Sequence, residues 1–121
     1  PFREAADGAP RFGDRRHYQM DPQTPSMIDR EVRLDLEEGA DMLIVKPAMA
    51  YLDVVAQVAA HADVPIAAYN VSGEYAMLQA AAERGWVDGE AVALEALVGM
   101  RRAGASMVIT YHAETIAAAL G

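Results

Sequence analysis

The chain has 121 residues, 53% hydrophobic and 23% charged, which fits one globular domain with a real core and excludes wholesale disorder. A net charge of -8 and a pI near 4.7 repel polyanions, which argues against nucleic acid or an anionic membrane as partner; the absence of cysteine excludes disulfides and thiolate metal sites. No apolar run approaches the roughly 20 residues that span a bilayer, and the opening "PFREAADG" is not a leader, so the expectation is a soluble, cytoplasmic chain. It opens without an initiator methionine, which suggests a segment of a longer protein.

Residues 1–23 mix Gly, Pro and acidic residues with no sustained period of 2 or 3.6, and read as a long loop. Its arginines Arg3, Arg11, Arg15 and Arg16 suit a lid over an anionic ligand, or simply a solvated basic loop. From residue 24 to 121 helix and strand signals alternate. "TPSMIDREVRLDLEEG" spaces Met27, Ile28, Val32, Leu34 and Leu36 helically, with Pro25 near the start and Gly39 at the stop. "ADMLIVK" is a short, nearly continuous apolar run, which predicts a parallel strand buried on both faces. A helix follows in "AMAYLDVVAQVAAHA", a strand in "VPIAAYNV", helices in "GEYAMLQAAAERG" and "DGEAVALEALVGMRRAG", a strand in "SMVITY" and a last helix in "AETIAAAL".

This alternation defines a parallel α/β fold. The run "EGADMLIVK" at 38–46 is echoed by "AGASMVITY" at 103–111, each a helix-stopping Gly before a strand, at a constant offset of 65 residues. The echo puts Lys46 and Tyr111 at equivalent strand ends, where parallel α/β proteins bind ligands. Three strands alone leave two exposed edges and a small core, so half of a (β/α) barrel is the economical architecture.

Lys46 is the one lysine among ten basic residues. Burial disfavours a charged amine, so a lysine enclosed in a barrel can be a neutral nucleophile that forms a Schiff base with a carbonyl, which arginine cannot do. The alternative is a lysine whose stem lies on apolar surface with its head in water. Pro47 biases Lys46 to extended geometry and ends the strand. In "YNVSGEY", Ser72 and Gly73 stand where a strand meets a helix; Gly73 permits an unusual backbone angle, and a helix start with a hydroxyl favours an anion, although a serine N-cap is the commoner use. His17, His61 and His112 lack metal-ligand spacing, and His61 suits a helix-end role. Glu31, Asp35 and Glu38 lie along one helix as a solvated acidic face.

The motifs "PFREAA", "GDRRHYQMDP", "EEGADMLIVKPA" followed by "YLD", "AAYNVSGEYAML" and "RAGASMVITYHA", in this order and spacing, resemble porphobilinogen synthase, the 5-aminolaevulinate dehydratase family, over essentially all of the chain. The resemblance implies the C-terminal portion of a TIM (β/α)8 barrel with its last three strands. The enzyme it implies is a hydro-lyase that condenses two 5-aminolaevulinate molecules into porphobilinogen, with loss of two waters, for tetrapyrrole and haem synthesis.

Site residues follow from the same resemblance. Lys46 is implied as a Schiff-base lysine, Ser72 and Tyr111 as hydroxyls for that substrate's carboxylate, and Arg3 and Arg15 as carboxylate ligands of the second substrate. Arg15 and Gln19 would sit on the active-site lid. Glu31 is implied as the ligand of an allosteric Mg²⁺. The family's second Schiff-base lysine and its loop for an active-site Zn²⁺ or Mg²⁺ precede the "PFR" motif, and its members are usually homo-octamers. The chain alone is therefore expected to be inactive as a synthase. The alternatives are another Schiff-base barrel of the aldolase type, or a half-barrel without chemistry.

Overall fold

A computed structural model describes residues 20, 21, 23, 24 and 26–121. Most of the predicted lid lies outside these residues, including Arg3, Arg15 and Gln19. The described elements run α1 (Ser26–Glu37), β1 (Leu43–Val45), α2 (Leu52–His61), β2 (Ile66–Tyr69), α3 (Ser72–Glu83), α4 (Gly89–Arg102), β3 (Met107–Ile109) and α5 (Ala113–Leu120). The three strands form one parallel sheet in the order β1-β2-β3. Every element expected from residue 24 onward is present, with strands shorter than their apolar runs.

Local chemistry explains where the helices stop. At the end of α1, Gly39 adopts φ 94°, and the N–H groups of Gly39 and Ala40 return to the carbonyls of Leu36 and Asp35. At the end of α4, Gly104 adopts φ 116°, and Gly104 and Ala105 return to Arg101 and Met100 in the same pattern. Both are Schellman closures, in which a glycine takes the left-handed conformation that satisfies the last carbonyls. The sequence echo is therefore a repeated turn that feeds a repeated strand. At the other end of α4, Asp88 accepts a hydrogen bond from the Ala91 N–H while Arg101 and Arg102 occupy the last turn, so cap and charges both oppose the exposed dipole.

Helices cover one face of the sheet. Val45, Ala68 and Val108 share that face and meet Val55, Leu52, Leu97 and Met100 of α2 and α4. Leu43 and Ile66 meet Val58 of α2 and, partly buried, Ile28, Val32 and Leu36 of α1. Among the described residues the opposite face has no covering layer: Ile44 is 54% exposed, Met107 40% and Ile109 42%, and only the small Ala67 between them is buried. This corrects the expectation that β1 is buried on both sides. Leu43 is only 7% exposed, so adjacent residues of one strand differ sharply, because among the described residues only one face has a covering layer.

The ladder also sharpens the echo. Val45 pairs with Ala68 and Ala68 with Val108, a separation of 63 residues between β1 and β3 rather than the 65 of the sequence match. Tyr111 therefore stands two residues further along than the level of Lys46, in the turn that follows β3. Strands in a tilted sheet are staggered in this way, and a sequence repeat carries no record of stagger.

Candidate active site at the strand ends

The carboxyl ends of the three strands carry the polar residues singled out in the sequence. Lys46 directly follows β1, and its peptide bond to Pro47 is cis. Continuing the ladder by one residue past Val45 and Ala68 aligns Lys46 with Tyr69, whose partner on β3 is Ile109. Lys46 is exposed, so the enclosure expected inside a barrel is not provided by the described residues.

Ser72 is the first residue of α3, half-buried, and the N-cap is Val71; the N-cap role considered for Ser72 is thus corrected. Among the described residues no hydrogen bond engages its hydroxyl. Gly73 is helical and buried, so the unusual backbone angle expected of it is absent. What remains of that reading is a hydroxyl at a helix start, where free N–H groups favour an anionic oxygen.

Tyr111 lies two residues past β3 and is 55% exposed. Its hydroxyl meets that of Tyr69 at 3.3 Å, which confirms that both face the open side of the sheet. That hydrogen bond, followed by desolvation, holds the Tyr69 phenol above its usual range. Tyr75 of α3 lies between Tyr111 and His112, with ring centroids 5.5 Å and 4.6 Å away. His112 is buried, and burial lowers its pKa; among the described residues its Nε2 has no partner. His61 ends α2 and its Nδ1 lies 2.8 Å from the Gln57 carbonyl, in keeping with the helix-end role. Glu31 is half-buried on α1, in the helix layer rather than at the strand ends.

Sequence reading missed the residue that joins these loops. Glu74 is fully buried in the first turn of α3. One carboxylate oxygen accepts from the Met49 N–H at 2.8 Å, and the other from the Val71 N–H at 2.9 Å and the Asn70 amide at 3.2 Å. Asn70, itself buried, accepts at Oδ1 from the Thr110 hydroxyl, and Thr110 Oγ1 accepts from the His112 N–H. The network thus spans the loops after all three strands. The available signals were the Asn70 and Glu74 spacing of four and a glutamate three residues past an N-cap, both of which also occur on ordinary helix starts.

Parallel strands alternating with helices define a (β/α)-barrel segment, and Lys46, Ser72 and Tyr111 lie just beyond the carboxyl ends of its strands, the end at which such folds bind ligands. The family model described as delta-aminolevulinic acid dehydratase matches residues 1–119, and the chain belongs to that family. It is 59% identical over 116 residues to the delta-aminolevulinic acid dehydratase of Staphylococcus aureus strain Mu50, across 96% of this chain and 36% of that protein. A further Staphylococcus aureus delta-aminolevulinic acid dehydratase is 60% identical over 111 residues, 92% of this chain and 34% of that one. The crystal structure of the Toxoplasma gondii ME49 enzyme, delta-aminolevulinic acid dehydratase (porphobilinogen synthase) in complex with the reaction product porphobilinogen, superposes with a TM-score of 0.89 at 48% identity. That match covers 97% of this chain and 34% of the Toxoplasma chain. The chain therefore spans about a third of the length of the relatives it matches.

Proposed function

We propose that this chain forms the C-terminal, Schiff-base side of a porphobilinogen synthase, a hydro-lyase that joins two molecules of 5-aminolaevulinate for tetrapyrrole synthesis. The observation that carries this reading is the gathering of Lys46, Ser72 and Tyr111 at the carboxyl ends of one parallel sheet, in a chain of this family. Porphobilinogen bound to the Toxoplasma relative supports the same product.

In the proposed chemistry the Lys46 amine adds to the ketone carbon of one 5-aminolaevulinate, a proton moves to the departing oxygen, and water leaves to give a C=N bond. The Ser72 hydroxyl and the start of α3, with the Tyr111 hydroxyl opposite, hold that substrate's carboxylate. Arg3 and Arg15 bind the carboxylate of the second substrate, with Arg15 and Gln19 assigned to the lid. Condensation forms one C–C and one C–N bond between the two substrates, with loss of two waters overall. Holding both reactants together supplies the large effective molarity on which such a step depends.

A scheme with two lysine imines needs two lysines, and this sequence has one. The chain by itself is therefore expected to make no porphobilinogen from 5-aminolaevulinate in a colorimetric assay, and to gain activity when the remaining two-thirds of a relative is supplied as a second polypeptide. Robust turnover by the isolated chain would overturn this division of the site. In the complete enzyme we propose a cytoplasmic homo-oligomer, an octamer as in the family, checked by cell fractionation and light scattering. Among the described residues no helix is long and apolar enough to cross a membrane.

For the metals, we propose that an active-site Zn²⁺ or Mg²⁺ takes its ligands from outside these residues. The chain has no cysteine, and among the described residues no three His, Asp or Glu side chains cluster as a metal site. Glu31 is proposed for an allosteric Mg²⁺, where a single hard carboxylate among waters suits an ion that dehydrates reluctantly. Glu31→Gln in the complete enzyme should abolish Mg²⁺ stimulation while leaving the unstimulated rate; retained stimulation would remove Glu31 from that role.

A further inference from the structure

Glu74 bears on how Lys46 is placed, an inference that rests on the reading of Lys46 as the imine-forming residue. A carboxylate accepts and does not donate, and all of its hydrogen-bond partners among the described residues are N–H groups from elsewhere than α3's own interior turns. The Met49 contact is the informative one. Met49 is 25 positions away, in the loop that begins at Lys46, and its N–H has no part in capping α3. In the same loop the Ala48 N–H donates to the Tyr69 carbonyl at 3.1 Å, and Ala48 is fully buried. The backbone that leaves Lys46 is thus tied both to the end of β2 and to the start of α3.

Each of the other two candidate ligands is flanked by the same network. Ser72 follows Val71, whose N–H is held by Glu74. Tyr111 lies between Thr110 and His112, which are joined to each other by a hydrogen bond from the His112 N–H to the Thr110 hydroxyl oxygen. Thr110 reaches Glu74 through Asn70, and the Asn70 N–H donates to the Ile109 carbonyl at 2.9 Å. We propose that Glu74 is a positioning residue: through Met49 it sets the amine of Lys46, and through Asn70 and Thr110 it sets Tyr111 relative to that amine. A helix cap alone would need only the Val71 contact.

The test compares Glu74→Gln and Thr110→Val with the wild-type chain in borohydride trapping of 5-aminolaevulinate, read as limiting rate and half-saturating concentration. A glutamine offers one acceptor oxygen and one donor amide, so it sets its amide against Met49 or against Val71 and Asn70. Since misplacement on the order of 1 Å can cost about a hundredfold, Glu74→Gln should lower the limiting rate by about tenfold or more. Thr110→Val cuts the branch to Tyr111 without touching the buried carboxylate. It should raise the half-saturating concentration several-fold with a smaller effect on rate.

A purely structural role would lower the unfolding midpoint and leave both kinetic quantities unchanged in the folded protein; that result overturns the proposal. Should Glu74→Gln fail to fold, wild-type values for Thr110→Val would overturn it alone. Absence of any adduct on the wild-type chain would instead defeat the reading of Lys46, so the two failures are distinguishable.

Discussion

Lys46→Arg is expected to abolish the 5-aminolaevulinate adduct that borohydride traps on the wild-type chain. Arginine keeps the charge and a similar reach, but its guanidinium does not deprotonate in proteins and forms no imine. A role in which Lys46 merely lays its stem on apolar surface would survive this change, because arginine does the same. Partial effects should come from the residues around it. Ser72→Ala and Tyr111→Phe each remove one hydroxyl and should raise the half-saturating concentration of 5-aminolaevulinate by about tenfold, the worth of one hydrogen bond to a charged group. An unchanged concentration dependence in both variants would remove them from carboxylate binding. The contrast between total and partial loss separates the bond-forming group from the binding groups.

The second large effect is on stability. Gly104 closes α4 at φ 116°, and a Cβ built there would lie 2.5 Å from the Cβ of Ala59 on α2. An L side chain in the left-handed region costs roughly 1–2 kcal/mol, and forced overpacking about 1–3 kcal/mol more. The Ala59 methyl is fixed to helix backbone, so relief requires α2 to shift against the sheet. Gly104→Ala should therefore lose about 3 kcal/mol, measured from urea midpoints. Gly39 is its counterpart in the echo, at φ 94° with open space around it, so Gly39→Ala bears only the backbone cost of about 1–2 kcal/mol. Equal losses at the two glycines would refute the assigned contact with α2.

The glycines also show how far the sequence could be read. The repeat of Gly39 and Gly104 before apolar runs revealed both helix ends and both strands, because a Schellman closure is local chemistry written in a few residues. The last helix, Ala113–Leu120, was likewise legible from its own composition. Nonlocal facts were not. Which face of β1 stays open depends on what lies over it, and "LIV" looks alike whether one face or two are covered. The stagger that moves Tyr111 two residues beyond Lys46 is set by strand tilt, and no residue type marks it.

In the site, Lys46 stood out because it is the one lysine in the chain, and Ser72 because a strand meets a helix there. Glu74 did not stand out. A glutamate in the first turn of a helix usually faces water, and only the fold brings the Met49 N–H, 25 residues away, onto its oxygen. Tyr69 and Tyr111 are separated by 42 positions, and parallel pairing of their strands is what brings the two hydroxyls together.

Location of the trapped adduct tests the central claim most directly. The chain is incubated with 5-aminolaevulinate and borohydride, digested, and mapped by mass spectrometry. One reduced 5-aminolaevulinate on the peptide that contains Lys46 is the predicted result. No adduct at Lys46, or trapping there of a sugar phosphate in preference to 5-aminolaevulinate, would contradict it.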